Sequence, residues 1–173
     1  MVKTLTEAAS STGVAVALTA EQAERILAVY HEARNRPDLE LLDEIYHPAV
    51  VVHDCSEPAD IVGLAALKTY YRGSHEGLPD FRMELSGSFF GGDRMACRWT
   101  VTGTHTGSLR GLPPTGKPVR FSGVAIDRVV GGKIVEEWVD YNPLVVLQQL
   151  GLAPPPPERI GTGAMFHGRG YLS

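Results

Sequence analysis

Residues 98–142 read RWTVTGTHTGSLRGLPPTGKPVRFSGVAIDRVVGGKIVEEWVDYN. Apolar and polar residues alternate through most of it, which is the period of a half-buried strand. With its flanks it predicts three strands, over about 95–105, 118–130 and 133–142. Gly131 and Gly132 between the last two mark a tight hairpin, because glycine takes a positive φ without steric cost. Residues two apart on a strand share a face. On the first strand Met95, Cys97, Trp99 and Val101 share one, which runs on through Gly103 to His105. On the last strand Ile134, Glu136, Trp138, Asp140 and Asn142 share one. A histidine and an aspartate thus extend two apolar faces that each carry a tryptophan.

Upstream the period is helical. Thr19 and Gln22 form a T-x-x-Q capping box ahead of Ala23, Ile26, Leu27 and Tyr30. Pro37 stops that helix, and Asp38 opens a short second one carrying Leu41, Leu42 and Ile45. A Val-rich strand follows over 49–54, then a third helix from about Gly63 to His75, closed by Gly77. A strand over about 81–89 precedes the stretch above, and Asn142 with Pro143 opens a final short helix that ends at Gly151. Helices first and a run of antiparallel strands after them predict an α+β domain, with helices packed on one face of a curved sheet. We expect that domain over 19–152, a loose arm over 1–18, and a Pro/Gly-rich tail over 153–173.

The composition narrows the function classes. The chain has 173 residues, 43% of them hydrophobic and 21% charged, with a net charge of -4. No basic patch invites nucleic acid, and no apolar run is long enough to span a bilayer. Two cysteines, Cys55 and Cys97, are too few for a disulfide framework and suggest reduced thiols in the cytoplasm. GLPPTGKP over 111–118 matches a phosphate-loop pattern, but Pro118 replaces the magnesium-holding Ser or Thr. A strand, not a helix, follows it, so it is a turn.

If the two tryptophan-bearing faces line one cavity, burial raises the pKa of Asp140 toward what a general base needs at neutral pH. His105 would share or orient the proton. The plain alternative is a surface Asp140, a helix-capping Asn142 and a turn histidine at 105. At the end of the first strand, Val51 and His53 share one face, and Val50, Val52 and Asp54 the other. One of His53 and Asp54 faces inward; parity does not decide, and His53 is the preferred pocket residue. No helical ligand spacing accompanies His53, Asp54 and Cys55, so no metal site is expected.

The segments WTVTGTHTG, GLPPTGK, IDRVVGGKIVEEW and LQQLGL, with YHPAVVVHD and LPDFRMEL upstream, resemble the SnoaL-like polyketide cyclases (ester cyclases) over about 20–152. The resemblance implies the nuclear-transport-factor-2-like fold, a cone of curved sheet with three helices around a deep cavity. It implies cofactor-independent acid–base chemistry on a hydrophobic carbonyl compound, and a homodimer. In this likeness His105 and His53 match the family's strand histidines and Trp138 its tryptophan. The family often carries its aspartate four residues after that tryptophan, where this chain has Asn142; Asp140 is the nearby substitute. The residues expected to act are therefore Asp140 and His105, with His53, Trp99, Phe121, Trp138 and Asn142 around the substrate. A non-catalytic binding module of the same fold is the rival: it expects Asp140 in solvent and a pocket without a buried carboxylate. A hydrolase or dehydratase using activated water is the other, with Asp54, Glu136 and Arg98 as partner groups.

Overall fold

The computed structural model describes residues 17–155. Helix α1 spans Ala20–Asn35, and a 3-10 helix spans Leu39–Glu44. Strands β1 (Tyr46–Asp54) and β2 (Ile61–Val62) lead into α2 (Leu64–Gly77). Then come β3 (Arg82–Gly91), β4 (Arg94–Thr104), β5 (Pro118–Val130), β6 (Lys133–Tyr141) and α3 (Pro143–Leu150). The expected α+β order is present. The cap box at Thr19 forms in both directions, with Gln22 N–H donating to Thr19 Oγ1 at 3.2 Å and Thr19 N–H to Gln22 Oε1 at 3.0 Å. Leu18, placed in the loose arm by sequence, is buried and donates its N–H to the Gly92 carbonyl at 2.7 Å. The other arm residues before 17 and the tail beyond 155 lie outside the described residues.

The six strands form one sheet in the order β2-β1-β6-β5-β4-β3. All neighbours are antiparallel except β1 and β6, which run parallel and bring the first strand beside the last. Neither that pairing nor the two-residue β2 was expected from sequence. Three irregularities interrupt the sheet, and the first lies between Tyr46 and Val51 of β1, against β6. Between Leu85 and Ser88, β3 carries one residue more than β4 opposite it. In β6, Ile134 pairs with Val129 and Glu136 with Arg128, so Val135 is one residue too many. An extra residue in one strand bends it, and every side chain beyond it changes face. Ile134 points into the core, and after the bulge Glu137, Val139 and Tyr141 do so. Glu136, Trp138 and Asp140 are thereby carried to the outer face.

Gly123 on β5 lies between Trp99 on β4 and Tyr141 on β6. With no side chain there, the Trp99 indole lies across the strand and meets Tyr141 and Phe121 edge-on, with centroids 5.8 and 5.9 Å away. A Cβ on Gly123 would fall 2.3 Å from the Trp99 ring and 2.6 Å from the Asp140 carbonyl. Gly123→Ala should therefore cost about 1–3 kcal/mol, as overpacking does. Urea unfolding measures this, and an unchanged midpoint contradicts it.

The core also holds two facing carboxyls, Asp127 and Glu137, each almost fully buried. Glu137 Oε2 accepts from the Tyr46 hydroxyl at 2.8 Å, while Asp127 Oδ1 has no partner among the described residues. Burial, opposed by Tyr46 and Arg34, pushes Glu137 up to about 7; burial and Glu137 push Asp127 up as well. Folded Glu137 thus keeps its proton above the ordinary glutamate value of 4.5, where the unfolded chain has released it. Stability is fully present below that value and should fall as the pH rises toward about 7. Glu137→Gln should flatten this slope in urea titrations between those pH values; an unaltered slope would assign it elsewhere, for instance to His53.

Candidate functional site

The concave face of the sheet and the three α-helices enclose a cavity of about 260 Å³. That is near the lower end of ligand pockets, about 300–1,000 Å³. Its walls are mainly apolar and aromatic. Trp99, Phe121 and Tyr141 form one aromatic cluster on the sheet, and Tyr30 and Tyr71 face it from α1 and α2. Leu147 and Leu150 of α3 also line it.

One polar cluster stands at the rim. β1 has no bulge in its second half, so Val50, Val52 and Asp54 alternate inward and Asp54 ends the buried face. The Asp54 carboxylate accepts three hydrogen bonds. Ser56 gives its N–H at 2.8 Å and its hydroxyl at 2.6 Å to Oδ1, and the Tyr70 hydroxyl donates to Oδ2 at 2.8 Å. Arg110 closes the cluster: Nη1 donates to Ser56 Oγ at 2.7 Å and pairs with Glu57 at 2.8 Å, and Nη2 donates to the Tyr70 oxygen. Burial, reinforced by Asp54 and opposed by Arg110, raises Tyr70 far above an ordinary tyrosine, so it stays a donor. Arg110 and Gly111 both have positive φ, 51° and 78°, in a turn closed by a bridge between Leu109 and Leu112. A non-glycine residue in that region costs about 1–2 kcal/mol, and the turn folds Arg110 back over the Tyr70 ring at 4.8 Å. Strain of this kind held by surrounding contacts is a mark of functional sites.

A second cation lies inside. Arg34 is 5% exposed, lines the cavity, and has its guanidinium 3.6 Å from the Tyr71 ring centroid and 4.8 Å from that of Phe81. His75 packs edge-on against Phe81, and burial followed by Arg34 lowers its pKa to about 4, so it is neutral.

The residues singled out by sequence divide sharply. Trp99 and Phe121 line the cavity. His105 is fully buried on the inward face, as parity placed it, yet does not line the cavity. It is clasped by its own loop: Nδ1 lies 3.1 Å from Thr115 Oγ1, and its backbone meets Thr115, Gly116 and Lys117. Asp140 was expected inside and is exposed on the outer face, because the Val135 bulge inverts parity beyond it. Trp138 goes with it and stacks on His53 at 5.3 Å. His53 is correspondingly on the outer side, bonded to Asp60 at 2.8 Å and Glu136 at 3.2 Å. Burial there acts downward, but the two acids raise its pKa. Asn142 is exposed and caps α3, accepting from Leu144 N–H at 3.1 Å. Asp140 and His105 are therefore not brought together over the cavity. Asp54 takes the inward place, and Tyr70, Arg110 and Arg34 were missed. Arg34 was legible in part, since it follows Ile26 and Tyr30 at intervals of four along the buried stripe.

Among the described residues, no group of three or more His, Cys, Asp or Glu could hold a metal ion. Likewise, no described helix is long and apolar enough to cross a membrane. No curated protein matches the chain. Solved structures do. AclR of Streptomyces galilaeus, a candidate hydroxylase, is 32% identical with a TM-score of 0.69, covering 80% of this chain and 86% of its own. IdmH of Streptomyces antibioticus, a candidate polyketide cyclase, is 29% identical with a TM-score of 0.65, covering 75% and 99%. TsrD of Streptomyces laurentii, at 22% identity and a TM-score of 0.72 over 79% and 99%, shares the fold. The model of the SnoaL-like polyketide cyclases matches residues 24–150. With the curved sheet and its enclosed cavity, that match places the chain in the SnoaL-like polyketide cyclase family.

Proposed function

We propose that the protein is a cofactor-independent acid–base enzyme acting on a hydrophobic, carbonyl-bearing, polyketide-like substrate, with Asp54 as its base. The observation that carries this reading is the Asp54 carboxylate itself. It is 8% exposed, lines a mainly apolar cavity, and is fixed by Ser56 and Tyr70 beside the Arg110 cation. Its Oδ2 accepts one bond and keeps a lone pair for a substrate proton. In the proposed step Asp54 removes a proton α to a carbonyl, and the electron pair moves onto the carbonyl oxygen. The positive charge of Arg110 stabilises the developing enolate, as preorganised charge does in a water-poor site. The enolate carbon then attacks a second carbonyl of the same molecule, and Asp54 returns the proton to the new alkoxide. Atoms and electrons balance without an oxidant. Trp99, Phe121 and Tyr141 hold the carbon skeleton. The outer sheet face exposes Val124 and Ile126, which supports burial against a second copy in a homodimer. The cysteine usage supports a cytoplasmic location.

The exposed position of Asp140 favours the rival binding module, and the presence of a buried carboxylate in the cavity counts against it. Solvent exchange separates the two. A neutral naphthyl 1,3-diketone in D₂O should exchange its α-protons faster with the protein than without. Asp54→Asn should reduce that acceleration by about 10²–10⁴-fold, while Asp140→Asn should leave it within about twofold, as surface changes do. Proton NMR of the diketone reads both. Binding without faster exchange, or full activity in Asp54→Asn, would overturn the assignment.

A further inference from the structure

The rim cluster accounts for Arg110, whose charge meets Glu57 and lies beside Asp54. Nothing in the proposed step accounts for Arg34. Its Nε and Nη1 are shut off from water and have no hydrogen-bond partner among the described residues. The nearby acid, Glu137, is near enough for Arg34 to hold its pKa down, but it receives its hydrogen bond from Tyr46. The adjacent imidazole, His75, also leaves Nε2 unpartnered, so neither group satisfies the other. The aromatic faces of Tyr71 and Phe81 offset part of the cost of burying the cation. They give no acceptor to its N–H groups. A buried cation without an acceptor is costly, and this one lines a mainly apolar and aromatic cavity, whose main other charged groups, Asp54 and Arg110, stand together at the rim.

We propose that Arg34 is a ligand-binding residue, and that the cavity takes a hydrophobic molecule bearing a carboxylate which seats on the Arg34 guanidinium. A guanidinium N–H donates strongly to a carboxylate, and exclusion of water strengthens the pairing; the cavity wall that closes off Nε and Nη1 gives way for the carboxylate to reach them. Tyr30 and Tyr71 also line the cavity, and their hydroxyls bond each other at 3.4 Å, which leaves one of the two O–H groups free to donate. The two arginines differ in depth: Arg34 is 5% exposed and the Arg110 side chain 38%. An acid group anchored on Arg34 inside would leave the carbon chain against Trp99 and Phe121 and extend the reacting carbonyl toward Asp54 and Arg110 at the rim. This inference rests on the cavity being the substrate site. It does not need Asp54 to be a base.

Equilibrium binding tests it without turnover. Naphthoate and its uncharged methyl ester are titrated into the full-length protein at pH 7 by calorimetry. Wild type should bind the acid at least about tenfold tighter than the ester, a modest return for one charge-assisted pairing. Arg34→Gln should lose that preference while keeping ester affinity within about twofold, and Arg34→Lys should keep part of it. Thermal melts establish that each variant is folded; the acid-to-ester ratio in wild type and in Arg34→Lys carries the test if Arg34→Gln does not fold. Equal affinity of wild type for acid and ester overturns the proposal. So does a preference that survives Arg34→Gln, or one that vanishes in Arg110→Gln alone and so belongs to the rim. If the preference fails while Asp54→Asn still abolishes α-proton exchange, only this inference falls. If the preference holds and exchange is absent, the acid–base reading falls instead.

Discussion

The single inserted residue at Val135 decides which half of β6 faces the cavity. Before it, Ile134 points into the core; after it, Glu137, Val139 and Tyr141 do. The inversion places Tyr141 against Trp99 and Phe121 and so completes the aromatic cluster. It also sets Glu137 opposite Asp127 in the core and turns Trp138 outward to cover His53. Without the bulge, Trp138 would take the Val139 position in the cavity wall and Asp140 the Tyr141 position beside Trp99. Bulges of this kind re-aim side chains near functional sites. Here one does so while β6 also pairs with β1 in parallel, which carries Asp54 to the same end of the sheet as Val139.

Charge inside the domain is arranged in three layers. At the rim, Asp54, Tyr70, Ser56, Glu57 and Arg110 satisfy one another and hold the Asp54 carboxyl against a mainly apolar space. Within the cavity wall, Arg34 meets aromatic faces and has no acceptor for Nε and Nη1. Behind it, Glu137 and Asp127 are pushed toward the neutral form by burial. A raised Glu137 pKa weakens the competition of that acid for the guanidinium, since the neutral form attracts the cation less than the ionised one. The deeper polar groups are thus coupled to the site even where they do not line it.

Most of the fold was legible in sequence. The capping box at Thr19, the hairpin at Gly131 and Gly132, and the Asn142-Pro143 helix start are local signals, and each forms as its chemistry requires. The parallel pairing of β1 with β6 has no local signal, because the partners lie far apart in sequence. The site was legible only in part, for a related reason. Parity put Trp99 on the buried face, and the structure has it there because β4 is regular at that point. It misplaced Asp140 and Trp138, since EEW spaces its residues evenly whether or not Val135 bulges. At the end of β1 parity offered His53 or Asp54 without deciding, and the helix cover selects Asp54, whose oxygen meets Tyr70 of α2. Arg110 depends on a turn with two positive φ values, of which only the glycine is visible in the sequence.

The chain has two tryptophans, and they lie on opposite sides of the sheet: Trp99 on the cavity and Trp138 outside it. The bulge-built cavity, with Trp99 and Asp54 at one ligand, is therefore most directly tested by the indole N–H resonances of the protein labelled with nitrogen-15. Titration with the naphthyl diketone should move the Trp99 signal, assigned by Trp99→Phe, and leave Trp138 in place. Movement of Trp138 with Trp99 unchanged would put the ligand on the outer face and contradict the account.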